Sequence, residues 1–155
     1  MSAPLSDAAL DQLFRSARTY NGYLDTPVAT EQLTAIWDLM KMAPTTANQL
    51  PARLVGCTSQ EAKEKLAACS APTNAPKILS APVTVIIAAD MQFHEQLPWL
   101  FPHADARSWF SGNDALREKS AVLNTTLQAA YFIMAARAIG LDTGPKTGFS
   151  NEAGD

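Results

Sequence analysis

Two prolines, Pro44 and Pro51, divide the middle of this chain before anything else about it is known. A proline ring excludes its predecessor from helical backbone and removes one amide donor, so the amphipathic pattern that reaches Met40 has to stop at Pro44. A strand begins just beyond Pro51. The stretch from Met40 to Arg53 therefore reads as a short, stiffened loop between a helix and a strand. It carries two hydroxyls, a carboxamide pair and several free backbone amides. Such a loop can grip an anion or a flat polar heterocycle.

Either side of that loop the pattern is helical, then mixed. Ser6 and Asp7 suit the cap and first turn of a helix with Leu10, Leu13, Phe14 and Ala17 on one face, ending near Arg18. Asn21-Gly22 breaks the pattern with a turn. Thr30 and Glu31 open a second helix with Leu33, Ile36, Trp37 and Met40 along one side. Ala52 to Cys57 reads as a strand. Ala81 to Ala89, β-branched and nearly uncharged, reads as another, buried on both faces. Between them Ser59 to Ala68 is a charged surface helix, and Asn74 to Leu79 forms one or two helical turns. Met91 to Gly112 is a proline- and aromatic-rich excursion of the kind that covers a pocket or a partner surface. The longest helix runs from about Asn113 to Ile139, with Leu123, Leu127, Ala130, Tyr131, Met134 and Ala138 as an apolar seam and Gly140 as its stop.

With 155 residues and 47% hydrophobic content the chain is long enough for one domain with a real core. A net charge of -3, with twelve Lys and Arg spread along it, argues against nucleic-acid binding, which needs a clustered basic face. Cys57 and Cys69 form no ligand pattern, and no apolar run approaches bilayer length. The expectation is a soluble cytoplasmic protein with no membrane partner. His94, Glu95, His103 and Asp105 match no chelating spacing, so no metal is expected. There is no Gly-x-Ser-x-Gly elbow and no Gly-x-Gly-x-x-Gly fingerprint, so any nicotinamide would be a transient visitor and not a resident in its own pocket.

The order helix, Arg18-Thr19-x-Asn21, helix, Pro44-Thr45-Thr46-Ala47-Asn48, strand, Asn74-x-x-Lys77, strand, long helix, Gly140-Leu141-Asp142-Thr143-Gly144-Pro145-x-x-Gly148-Phe149 resembles the FMN-dependent nitroreductase family. Within it the chain is most similar to the malonic semialdehyde reductase branch of pyrimidine degradation. Ala-Arg-Thr-x-Asn-Gly, Leu-Phe-Pro-His-x-Asp-Ala-Arg-Ser-Trp-Phe and Gly-Leu-Asp-Thr-Gly-Pro are that branch's runs. The resemblance covers essentially the whole chain. It implies an α+β fold, a single domain over residues 1–155 with a central antiparallel or mixed sheet flanked by helices, and the long helix at a homodimer interface. It also implies FMN as cofactor and NADPH or NADH as hydride donor.

Carried over by position, the resemblance places Arg18 and Thr19 at the FMN phosphate or ribityl chain and Asn21 at the pyrimidine edge. Thr45, Thr46 and Asn48 would line the flavin, in part from the partner subunit. Asn74 would bond the polar edge of the ring, and Lys77 would stand at N1 and O2. Pro145 and Gly148 would run beside the ring, with backbone near Gly148 donating toward N5. Lys77 and Gly148 are the implied catalytic positions, since a cation at N1 and O2 stabilises the reduced flavin. Plainer readings stand beside these. Arg18 also suits the C-terminal end of the first helix dipole. Thr45, Thr46 and Asn48 also suit a helix stop and turn. Lys77 also suits a solvated helix face.

Family members run on past this chain's end at Gly154-Asp155, through another core strand to basic residues at the FMN phosphate. The C-terminal strand is therefore expected to be absent here. The implied activity is reduction of a small aldehyde, malonic semialdehyde to 3-hydroxypropionate. The alternatives are a broad nitroaromatic or quinone reductase and a flavin-deficient relic acting as a scaffold.

Overall fold

The computed structural model describes residues 3–150. The chain end at Gly154-Asp155, on which the expected loss of a strand turns, lies outside the described residues. The fold is α+β, with helices and a small antiparallel sheet. In chain order the elements are α1 (Asp7–Leu10), α2 (Thr30–Met40), β1 (Ala52–Cys57), α3 (Gln60–Ala68), α4 (Ala75–Ser80), β2 (Thr84–Ala89), α5 (Leu97–Leu100) and α6 (Asp114–Ala138), with β1 paired to β2. No helix among the described residues is long and apolar enough to cross a membrane. Among the described residues the chain forms two compact units, one of residues 3–34, 56–86 and 136–150, the other of residues 35–55 and 87–135.

In the first unit, Ser6 caps α1 by accepting from the Ala9 amide at 3.2 Å. The helix passes into a π-turn over Asp11–Arg15 and stops there, short of the expected Arg18. Arg18 ends it. Its Nη1 donates to the carbonyls of Arg15 and Ala17 at 2.8 and 2.7 Å, satisfying oxygens that the helix leaves open. Ser59 caps α3 in the same way as Ser6 caps α1, and Lys63 of α3 donates to the carbonyls of Leu79 and Ala81, which locks α3 onto the end of α4. Strand β2 begins at Thr84 and not at Ala81, because the Ala81 amide closes α4 by donating to Lys77 O and Pro82 has no amide to give. Its side chains are half-buried or exposed, so the expectation of burial on both faces fails: a single neighbouring strand cannot cover it. Gly140, with φ at +82°, ends α6, and the Leu141 amide turns back to Ala136 O at 2.9 Å.

The second unit holds the aromatic excursion, which folds on itself. Phe93, Leu97, Ala106 and Phe110 pack with Ala121 of α6 into a small core, Phe93 and Phe110 edge to face at 5.0 Å. Glu95 and Arg107 staple its surface through two hydrogen bonds, and the guanidinium holds the Glu95 carboxyl below the usual carboxylate range.

Helix α6 departs from the expected pattern. Its bounds agree, but Leu123, Leu127, Ala130 and Tyr131 are exposed, the first at 57%. The buried stripe is instead Ser120, Asn124 and Gln128, with Ala121 and Thr125 beside it. A buried carboxamide needs partners, and the oxygens of Asn124 and Gln128 find theirs in the amides of Thr46 and Ala52, in the loop before β1 and at its first residue.

Candidate functional site

The first unit gathers most of the positions singled out from the sequence onto one segment, Thr143 to Ser150. On one side the Tyr20 amide donates to Thr143 O at 3.1 Å. The other side is a run of backbone contacts: the Ala71 amide donates to Gly148 O at 2.9 Å, the Ser150 amide to Cys69 O at 2.8 Å, and Ser70 and Phe149 form an antiparallel bridge. The loop carrying Arg18, Thr19 and Asn21 and the turn carrying Asn74 and Lys77 are therefore both tied to the segment carrying Pro145 and Gly148.

Asn74 sits at the start of α4, half-buried, and its Nδ2 donates to Gly148 O at 3.3 Å. A Cβ on Gly148 would come within 3.1 Å of that nitrogen and 3.2 Å of Ala71 Cβ, so the close approach of these two strands of backbone uses the missing side chain. Lys77 is one turn further on and half-buried, and its ammonium makes no hydrogen bond or ion pair among the described residues. Thr19, Asn21 and Pro145 are exposed. Arg18 is exposed as well, with Nη1 spent on the carbonyls of Arg15 and Ala17, at the end of the π-turn and just past it. The plainer reading of Arg18 as a helix-end cation is thus realised, and its second terminal nitrogen makes no hydrogen bond among the described residues.

The second unit holds Thr45, Thr46 and Asn48. Thr46–Asn48 form one 3₁₀ turn, and Ala47, Asn48 and Leu50 have φ of 49°, 51° and 40°. Side chains bearing a Cβ avoid this left-handed region, and each such residue costs on the order of 1 kcal/mol. What holds the loop there is α6. Asn124 Oδ1 accepts from the Thr46 amide at 2.8 Å, Gln128 Oε1 accepts from the Ala52 amide at 2.9 Å, and Gln49 Nε2 donates to Ser120 Oγ at 3.1 Å. Asn48 Nδ2 donates to Leu100 O, and Thr45 Oγ1 accepts from the Leu50 amide. Thr45 is thus partly a turn residue, while the Thr46 and Asn48 side chains remain exposed. The same unit contains an open depression of about 280 Å³ lined by Pro98, Pro102 and residues 104–107, which includes none of the positions singled out from the sequence.

Two groups of residues were missed by sequence reasoning. Ser120, Asn124 and Gln128 stand four apart, a polar stripe as regular as the leucine stripe beside it, and that spacing was the available signal. Tyr23, Gly144 and Lys146 carried no signal of that kind. Lys146 Nζ donates to Gly144 O at 2.8 Å and to Tyr23 Oη at 3.4 Å, joining residues 123 positions apart.

A guanidinium and an ammonium suit a phosphate, and a carboxamide suits the polar edge of a heterocycle, so Arg18, Asn74 and Lys77 fit FMN by the chemistry of their polar groups. Among solved structures, one provisionally described as a nitroreductase from Bacillus subtilis superimposes with a TM-score of 0.85 at 24% identity, covering 94% of this chain and 78% of its own. A second, provisionally described as a nitroreductase in complex with FMN from Exiguobacterium sibiricum, gives 0.81 at 19% identity over 98% and 80%. The fold is therefore that of the nitroreductases. The nitroreductase family pattern itself matches residues 14–153. A Stenotrophomonas maltophilia (strain R551-3) protein, provisionally named NADH dehydrogenase/NAD(P)H nitroreductase, is 56% identical over 149 residues, 96% of this chain and 76% of that protein. The chain belongs to the nitroreductase family, a family of oxidoreductases.

Proposed function

We propose that this chain is an FMN-dependent NAD(P)H oxidoreductase that reduces a small aldehyde, malonic semialdehyde to 3-hydroxypropionate, in the cytoplasm. The observation that carries the reading is the joining of the 18–23 loop, the 69–77 turn and the 143–150 segment by backbone bonds in one unit. FMN, when bound, would supply the hydride chemistry between NAD(P)H and an electrophilic acceptor. Arg18 and Thr19 would hold its phosphate or ribityl chain, and Asn21 and Asn74 would orient its pyrimidine edge. The Lys77 ammonium, without an ion pair among the described residues, would balance negative charge at N1 and O2. Pro145 and Gly148 keep the approach to the ring free of side-chain bulk. Thr45, Thr46 and Asn48 line the flavin, in part from a second subunit. The match of residues 14–153 to one family supports reading both units as parts of a single FMN-binding domain.

The exposed apolar stripe of α6 supports a homodimer, since Leu116, Leu123, Leu127 and Tyr131 form a row that a lone chain leaves in water. Leu127→Glu should convert a dimer to a monomer on a sizing column without melting the fold. An unchanged elution volume would remove α6 from the interface. The name of the Stenotrophomonas maltophilia relative favours a second reading, a broad nitroaromatic or quinone reductase. Steady-state rates with malonic semialdehyde, quinones and nitroarenes rank the two. An absorbance spectrum of the purified protein tests what they share: no flavin bands, even with excess FMN, would defeat both and leave the relic.

A further inference from the structure

Lys146 has no part in the reading above, yet its surroundings are unusual for a lysine at a loop edge. Its ammonium lies 2.8 Å from Gly144 O, 3.4 Å from Tyr23 Oη and 5.7 Å from the centre of the Tyr23 ring. Tyr23 Oη gives its proton to Tyr20 O at 3.3 Å, which leaves a lone pair toward the ammonium. Gly144 permits this packing, because a Cβ there would fall 2.2 Å from Tyr23 Oη. Lys146 therefore spends two protons on Gly144 and Tyr23, and its third has no partner among the described residues. A second ammonium, that of Lys77, acts on the same phenol and is itself without a hydrogen bond among the described residues.

The Lys146 ammonium thus packs against the Tyr23 phenol, and no carboxylate among the described residues forms an ion pair with Lys146 or Lys77. Burial pushes Lys146 below the ordinary lysine value and Tyr23 above the ordinary phenol value, against which the charge of Lys77 pulls Tyr23 back. An ammonium drawn partly out of water with no counter-ion destabilises a fold, and the group that relieves it is an anion. A clasp whose only task was to hold the loop would work with a neutral donor.

We propose that Lys146, held in place by Tyr23, offers its third proton to a carboxylate or phosphate oxyanion carried by the enzyme's substrate. The word substrate rests on the proposed oxidoreductase reading, and the site itself does not. The carboxylate source is a small oxo-acid, and the phosphate source is the nicotinamide nucleotide.

Titration calorimetry of the flavin-free chain with malonate and, separately, with inorganic phosphate tests the site. Binding should weaken about tenfold or more in Lys146→Met and Lys146→Gln, return in Lys146→Arg, and weaken to a lesser degree in Tyr23→Phe. Loss confined to malonate assigns the site to a carboxylated acceptor, and loss confined to phosphate assigns it to the nucleotide. Equal binding of both anions by wild type and both neutral variants overturns the proposal. In the FMN-loaded enzyme, the carboxylate assignment requires Lys146→Met to raise KM for the carboxylated aldehyde and not for its amide analogue. A colourless protein that keeps Lys146-dependent binding would defeat the oxidoreductase reading alone. A yellow, active enzyme without such binding would defeat this site alone.

Discussion

The 45–52 loop and the 143–150 segment carry candidate site residues by opposite means. The loop takes a left-handed run at Ala47, Asn48 and Leu50 with no glycine to ease it, and is held by three side chains of α6 more than seventy residues away. The segment is held by backbone bonds on both flanks and uses Gly144 and Gly148 where neighbours come close. One shape is imposed from a distance by carboxamides, the other is written locally in small residues. Sensitivity to mutation should divide accordingly: in the segment through added bulk, in the loop through lost hydrogen bonds.

The largest effect should come from Gly144→Ala. Its Cβ would stand 2.4 Å from the Tyr20 carbonyl oxygen as well as against the Tyr23 hydroxyl, and backbone cannot rotate aside as a flexible side chain does. We expect a loss at or above the upper end of about 1–3 kcal/mol for overpacking, read by denaturant unfolding. A loss under half a kcal/mol would show that the segment is loosely held.

Next in size is Asn124→Ala, which leaves the Thr46 amide without its acceptor and the loop without one tether. About 1–3 kcal/mol is expected for an orphaned, partly buried donor, with faster amide exchange in the loop. Exchange unchanged at residues 45–50 would mean that the loop keeps its shape unaided, and the contrast with the segment would fall.

Lys146→Met should have the smallest effect on stability and sharpens the contrast by removing charge while sparing backbone. Burial lowers the folded pKa of Lys146 from its ordinary 10.5, so carrying the charge opposes folding at neutral pH. That penalty fades as pH rises through the lowered folded value. The variant's melting temperature should therefore lie near that of wild type at neutral pH, and the balance should shift toward wild type under alkaline conditions. A large drop at neutral pH would make Lys146 a structural clasp.

The sequence was most legible where local rules act alone. The bounds of α2 and β1 follow from Thr30, Pro44 and Pro51, and Gly140 closes α6 as expected. It misled on α6, because a 3.6-residue period fits the leucine stripe and the Ser120, Asn124, Gln128 stripe equally well, and hydropathy alone favours leucine inward. What decides the matter is the demand of unpaired loop amides for acceptors, which no window along the helix contains. The order of motifs named residues on all three parts that meet around 143–150, without saying how the backbone joins them, while Tyr23 and Lys146 went unseen because a contact across 123 positions leaves no periodic trace.

The left-handed turn at 47–50 has a further consequence. A synthetic peptide of residues 44–53 would relax toward extended conformers, since its few internal hydrogen bonds do not replace the three tethers that α6 supplies. The aim of that turn is therefore open to change without touching the turn: exchanging Asn124 on α6 would release the Thr46 amide, exchanging Gln128 the Ala52 amide, and either would re-aim the exposed side chains between them.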